Sequence, residues 1–184
     1  MDGLILAAGK GTRMRPYSNA VNKEMSLIGP CPVIEYCIRA LTCCDVRRIY
    51  VVLSEGKDQI FEFLRSGSDF GVNVAYIYQD MNLGKGTAKA VAVAEPWMND
   101  SFMLVYGDSF FYPTDFFKDI TESHHDARAD VTIGVYTMED HKGLGIVKCE
   151  EGKVLDILEK ASDAEASQAR VDGRYLVNSG PIIF

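Results

Sequence analysis

Apolar residues come in short blocks along this chain, and the spacing inside each block separates strand from helix. Gly3 to Ala8 (GLILAA) is a continuous apolar run ended by glycine, the pattern of a buried parallel strand. Arg48 to Leu53, Val72 to Tyr78 and Phe102 to Tyr106 read the same way. Between them, Pro32 to Thr42 places Val33, Ile34, Cys37, Ile38 and Leu41 on one helical face, with proline in the first turn. Asp58 to Leu64, Thr87 to Glu95 and Asp115 to Ser123 are also helical in pattern. Strand and helix alternate to this point, which predicts a parallel sheet covered on both faces.

The pattern then changes. Asp130 to Tyr136, Gly145 to Cys149 and Val154 to Leu158 are strands with little helix between them, and Glu151-Gly152 predicts a hairpin turn. Ala161 to Arg170 is polar and alanine-rich, a loop or a short helix, and Tyr175 to Phe184 opens as a strand. The expected fold is an α/β three-layer sandwich over residues 1–184, with a mainly parallel, mixed central sheet. The close on Ile182-Ile183-Phe184 carries the expectation that more protein follows.

Composition narrows the classes. The chain has 184 residues, enough for one domain with a core, and no apolar run reaches the roughly 18 residues of a membrane span. Asp2 and the lack of a basic leader make the first block a strand rather than a signal peptide. The formal charge of −7 argues against a nucleic-acid partner, which would need a broad basic surface. The five cysteines are odd in number and lack zinc spacing, which suits reduced thiols in a cytoplasmic protein. His124-His125 and the isolated His141 have no metal-ligand spacing and read as surface residues.

The densest chemistry follows the first strand: Leu6-Ala7-Ala8-Gly9-Lys10-Gly11-Thr12-Arg13-Met14-Arg15-Pro16, then Lys23. Gly9 and Gly11 allow a tight turn whose N–H groups approach a ligand, and Lys10, Arg13, Arg15 and Lys23 bring cations to it. A triphosphate needs both. Met14 occupies the third-glycine position of a dinucleotide fingerprint, and no Walker A loop is present.

At this loop the chain resembles the sugar-1-phosphate nucleotidylyltransferases, whose signature L-A-A-G-x-G-T-R is followed by a lysine. The resemblance recurs in order along the chain and implies a Rossmann-like nucleotidyltransferase fold. It places Leu6, Ala8, Gly9, Gly11, Thr12 and Arg13 on the nucleotide. It implies that Gln79 and Gly84 hold a pyrimidine base, which suits an amide that donates and accepts together. It implies that Asp108, at the end of a buried strand, binds Mg²⁺, whereas a lone aspartate there is most often a turn former. It gives the sugar side to Gly145, Glu159, Lys160 and Asn178.

The activity implied is transfer of a nucleotidyl group from UTP or dTTP to a sugar-1-phosphate, with Arg13, Lys23, Asp108 and Lys160 as catalytic residues. Homo-oligomerisation is a further expectation from the resemblance. Asn22 before Lys23, Ser26-Leu27-Ile28 after it, Leu144 before Gly145 and Ala161 after Lys160 depart from the family pattern, and the chain stops before the family's second metal ligand. Two other readings stay open: a transferase for another phosphate acceptor, and a non-catalytic nucleotide-sugar-binding module.

Overall fold

In a buried strand, successive side chains point to opposite faces, so an all-apolar strand must be covered on both. β1 (Asp2–Leu6) meets that condition, being buried at every position. It is followed by β2 (Leu27–Ile28), β3 (Cys31–Pro32), α1 (Val33–Cys43), β4 (Arg48–Leu53), α2 (Asp58–Leu64), β5 (Asn73–Tyr78), α3 (Thr87–Ala94), β6 (Phe102–Tyr106) and α4 (Phe116–Ala127). The computed structural model describes residues 1–140 and 143–184, and His141 lies outside them. The chain divides into two compact units, Met1–Thr132 with Pro181–Phe184, and Ile133–Gly180.

In the first unit the strands lie in the order β5-β4-β1-β6. All three junctions are parallel. Pro181–Ile183 adds an antiparallel partner to β6, so the sheet is mixed as expected. On one face Ile5, Ile49, Val51, Met103 and Val105 pack with Ile34, Ile38 and Leu41 of α1, Ile60 and Leu64 of α2 and Phe117 of α4. On the other, Leu4, Leu6, Tyr50, Val52 and Leu104 pack with Ala90 and Ala94 of α3. These are the three layers that the alternation predicts. β1, β4, β5 and β6 run parallel, so the loops that follow them emerge along one edge, where ligands bind in such folds.

The second unit contains β7 (Thr132–Met138), apart from Thr132, β8 (Ile146–Glu150), β9 (Lys153–Leu158), α5 (Asp163–Ser167), β10 (Arg170–Val171) and β11 (Arg174–Ile183), whose end belongs to the first unit. β8 and β9 are antiparallel, and their turn has Glu151 at φ 49° and Gly152 at φ 77°, the hairpin that Glu151-Gly152 predicts. Ile146, Ala166, Ala169, Tyr175 and Val177 form its core. The alanine-rich stretch holds a short helix because Ser162 and Glu165 cap it reciprocally.

Candidate functional site

The chain leaves β1 through a fixed exit. The Ser54 hydroxyl, buried at the end of β4, donates to the carbonyl oxygen of Ala8 at 2.7 Å. The backbone then turns at Gly11 (φ 63°), where Ser18 Oγ donates to the Gly11 carbonyl at 2.8 Å. Thr12–Met14 forms a short 3₁₀ turn. Lys10, Arg13 and Arg15 are exposed along this loop.

Lys23 comes back to the loop from a further 3₁₀ turn, Lys23–Met25. A β-carbon on Gly9 would come 3.2 Å from Lys23 Nζ, so the ammonium lies against bare backbone. The same ammonium is 2.5 Å from Asp108 Oδ2, beyond the end of β6. Gly107, just before it, is tightly enclosed: a β-carbon would meet Ala7, Ile5 and Glu24 at 3.2–3.3 Å.

Gly9, Lys23 and Asp108 line a cleft of about 180 Å³ with Leu6, Ala8 and Gln79. Gln79 is only 2% exposed. Its Nε2 donates one N–H to the Gly84 carbonyl at 3.3 Å, which leaves Oε1 as an acceptor and the second N–H as a donor. Gly84 itself has φ 146°, a conformation open to glycine. Sequence positions 6, 8, 9, 23, 79 and 108 therefore meet in one place. Gly11, Thr12, Arg13 and Gly84 stand outside the immediate lining.

The donor set can be compared with Mg²⁺. Among the described residues no group of three or more His, Cys, Asp or Glu stands together as a metal cage. Asp108 is the acidic residue of the cleft lining, with Oδ2 engaged by Lys23. Mg²⁺ commonly takes one or two carboxylates and completes its shell with phosphate oxygens and water. A single carboxylate is within what Mg²⁺ takes from a protein.

In the second unit, Gly145, Glu159 and Asn178 are neighbours. The Asn178 amide donates to the Gly145 carbonyl at 3.1 Å. A β-carbon on Gly145 would lie 2.7 Å from Glu159 Oε1. Asn178 Oδ1 accepts from the Gly180 amide at 2.9 Å. Glu159 and Lys160 are exposed, and Lys160 sits in a left-handed turn at φ 54°.

Several residues of the site escaped the sequence reading. Met81, Gly86, Thr87, Ala90 and Tyr106 complete the cleft lining. Their positions inside the Gln79 and Asp108 blocks were the available signal. Glu24 and Lys57 form a buried ion pair beside the cleft, with Nζ 2.9 and 2.7 Å from the carboxylate oxygens. Burial pushes the Glu24 carboxyl up from its ordinary value, and the Lys57 ammonium pulls it down. No local motif marks a pair so far apart in sequence.

The model of the nucleotidyl transferase family matches residues 2–184. The chain is 28% identical to a glucose-1-phosphate thymidylyltransferase of Neisseria meningitidis serogroup A, over 100% of this chain and 64% of that protein. It is 31% identical to a UTP–glucose-1-phosphate uridylyltransferase of Synechocystis, over 96% of this chain and 48% of the relative. It thus spans less than two thirds of the length of either. A Bacillus anthracis structure assigned as a glucose-1-phosphate thymidylyltransferase, in complex with a sucrose, shares the fold: TM-score 0.85, 24% identity, 100% of this chain and 71% of that one.

Proposed function

The chain belongs to the nucleotidyl transferase family, and from that membership we propose that residues 1–184 form a domain that transfers a nucleotidyl group from UTP or dTTP to a sugar-1-phosphate, releasing pyrophosphate. The observation that carries this reading is the meeting of the Gly9 backbone, Lys23, Gln79 and Asp108 in one cleft. The names of the relatives support a sugar-1-phosphate acceptor. The Gly145–Glu159–Asn178 cluster supports a hydroxyl-rich ligand, because it gathers a carboxylate, a side-chain amide and a glycine without a side chain.

A phosphate monoester dianion is already a nucleophile, so the transfer needs no general base. A phosphate oxygen of the sugar-1-phosphate forms a bond to the α-phosphorus, the bond from that phosphorus to the β-bridging oxygen breaks, and pyrophosphate leaves with the electron pair. The protein's work is positioning and charge neutralisation. Gln79 orients the base. The Gly9 backbone and Lys23 hold the nucleotide phosphates, Arg13 meets the leaving pyrophosphate, and Lys160 meets the incoming phosphate. Asp108 would hold Mg²⁺, which when bound neutralises charge on phosphate oxygens. The free thiols of Cys31, Cys37, Cys43, Cys44 and Cys149 support a reducing, cytoplasmic setting.

Pyrophosphate release is the test, measured with Mg²⁺, a panel of nucleoside triphosphates and two acceptors, glucose-1-phosphate and N-acetylglucosamine-1-phosphate. Turnover that requires a sugar phosphate and is lost in Asp108→Ala is the expected result. Nucleotide-sugar binding without any pyrophosphate release would replace the transferase by a binding module.

A further inference from the structure

Beside the cleft lie two buried charges that the chemistry above does not use. Glu24 is 0% exposed and Lys57 6%. An ion pair removed from water gives little net stability over apolar side chains of the same volume. Its presence here therefore calls for a role besides stability.

The surroundings point to one. Lys23 and Glu24 are consecutive in a single 3₁₀ turn, yet their side chains leave it toward different partners. Lys23 reaches Asp108, and Glu24 reaches Lys57. The turn is also tied toward α2 by Asn22, whose backbone N–H donates to Gln59 Oε1 at 2.8 Å and whose Nδ2 donates to the Gly56 carbonyl at 3.0 Å. Those two bonds are exposed, where water competes for both partners. The Glu24–Lys57 pair is the buried tie, and a charge pair is strongest where water is excluded. Glu24 also packs on the other wall of the cleft: its Cγ would be 3.3 Å from a β-carbon on Gly107, the residue before Asp108. One side chain thus braces the backbone carrying Lys23 and the backbone carrying Asp108.

We propose that Glu24 and Lys57 are positioning residues, whose buried ion pair sets the Lys23–Met25 turn so that Lys23 faces Asp108 and the nucleotide phosphates. The role in catalysis rests on the nucleotidyl-transfer reading of the cleft. The role in holding the turn does not.

The test is a mutant cycle read by two measurements. Glu24→Gln, Lys57→Met and the double variant E24Q/K57M are made in the parent chain and in Lys23→Ala. Binding of UTP and of dTTP is measured by calorimetry, and amide hydrogen exchange is measured without ligand. In the parent background, E24Q and the double variant should each weaken nucleotide binding by about tenfold or more, although the double variant leaves no buried charge unpaired and melts close to the parent. In the Lys23→Ala background the further loss should be under about twofold, because the pair acts through Lys23. The amides of Met25 and Ser26, which donate to Asn22 and Lys23 carbonyls, should exchange faster by about tenfold while those of β4 keep their protection. A double variant that binds nucleotide as tightly as the parent would overturn the proposal. So would equal losses in both Lys23 backgrounds, the sign of a general folding defect. If the parent binds neither nucleotide, the reading of the cleft fails, and exchange at Met25 and Ser26 still decides whether the pair holds the turn.

Discussion

The carboxylate of Glu159 occupies the place where a side chain on residue 145 would have to go, since a β-carbon there would come 2.7 Å from Oε1. Gly145→Ala must therefore push Glu159 aside. The displaced group is the free end of an exposed side chain, so stability should change by no more than about 0.5 kcal/mol. Under the proposed function the KM for the sugar-1-phosphate should rise by about tenfold or more, with the affinity for nucleotide unchanged. Steady-state kinetics with each substrate varied in turn, beside a thermal melt, checks both halves.

Lys23 and Asp108 are partly solvated, with side chains 20% and 40% exposed, so their pair adds little to folding. Its importance should appear in the reaction. Lys23→Ala is expected to lower kcat by about 10²–10³-fold, the usual effect of removing one preorganised group that meets transition-state charge. The melting temperature should stay close to that of the parent. A parallel measurement of kcat and of the melting curve distinguishes this from a folding defect.

Gln79 offers its ligand the Oε1 acceptor and one N–H, because the other N–H is donated to the Gly84 carbonyl, a bond that fixes which way the amide faces. The imide N–H of uracil or thymine complements that acceptor, whereas cytosine presents a lone pair at the same ring position. Gln79→Leu keeps similar volume and removes the choice. Affinity for UTP and dTTP should fall by about 10–100-fold while that for CTP changes little, so the preference for an imide base collapses. Competition calorimetry with the three nucleotides reads this directly.

Much of the frame was legible in sequence. Arg48–Leu53, Asp58–Leu64 and Phe102–Tyr106 take the expected boundaries because each apolar block ends at a turn former or charge. Other features lacked a periodic signal. The hairpin of Leu27–Ile28 and Cys31–Pro32 is too short to show one. α4 runs on to Ala127, beyond the expected Ser123, because His124, His125 and Asp126 continue it on solvated or partly solvated positions. It stops where Arg128 turns left-handed at φ 48°. The site was legible as separate blocks. Sequence order does not reveal that Lys23 touches Asp108, or that Glu24 turns inward to Lys57, since such pairings arise only when the loops after β1, β4 and β6 meet at one edge of the sheet.

Cys43 gives a pH-dependent prediction outside the site. Burial, with the neighbouring Cys44 adding to it, pushes its thiol up to about 12. The thiolate is the reactive form, so at pH 8 alkylation of Cys43 should run about a thousandfold slower than for a thiol of ordinary acidity. The rate should climb about tenfold per pH unit as deprotonation increases. Mass spectrometry of iodoacetamide-treated native chain, with a urea-unfolded control that reacts at the ordinary rate, reads the difference at this residue.

The Glu24–Lys57 pair also constrains how this chain can drift over generations. Losing either partner alone strands a charge in a dry interior, a step that typically costs about 3–5 kcal/mol. Exchange of both together for apolar side chains is nearly neutral for folding. Single changes at position 24 or 57 are therefore dead ends, and descendants should either keep both charges or have lost both. Two positions that look unrelated in sequence behave as one heritable character.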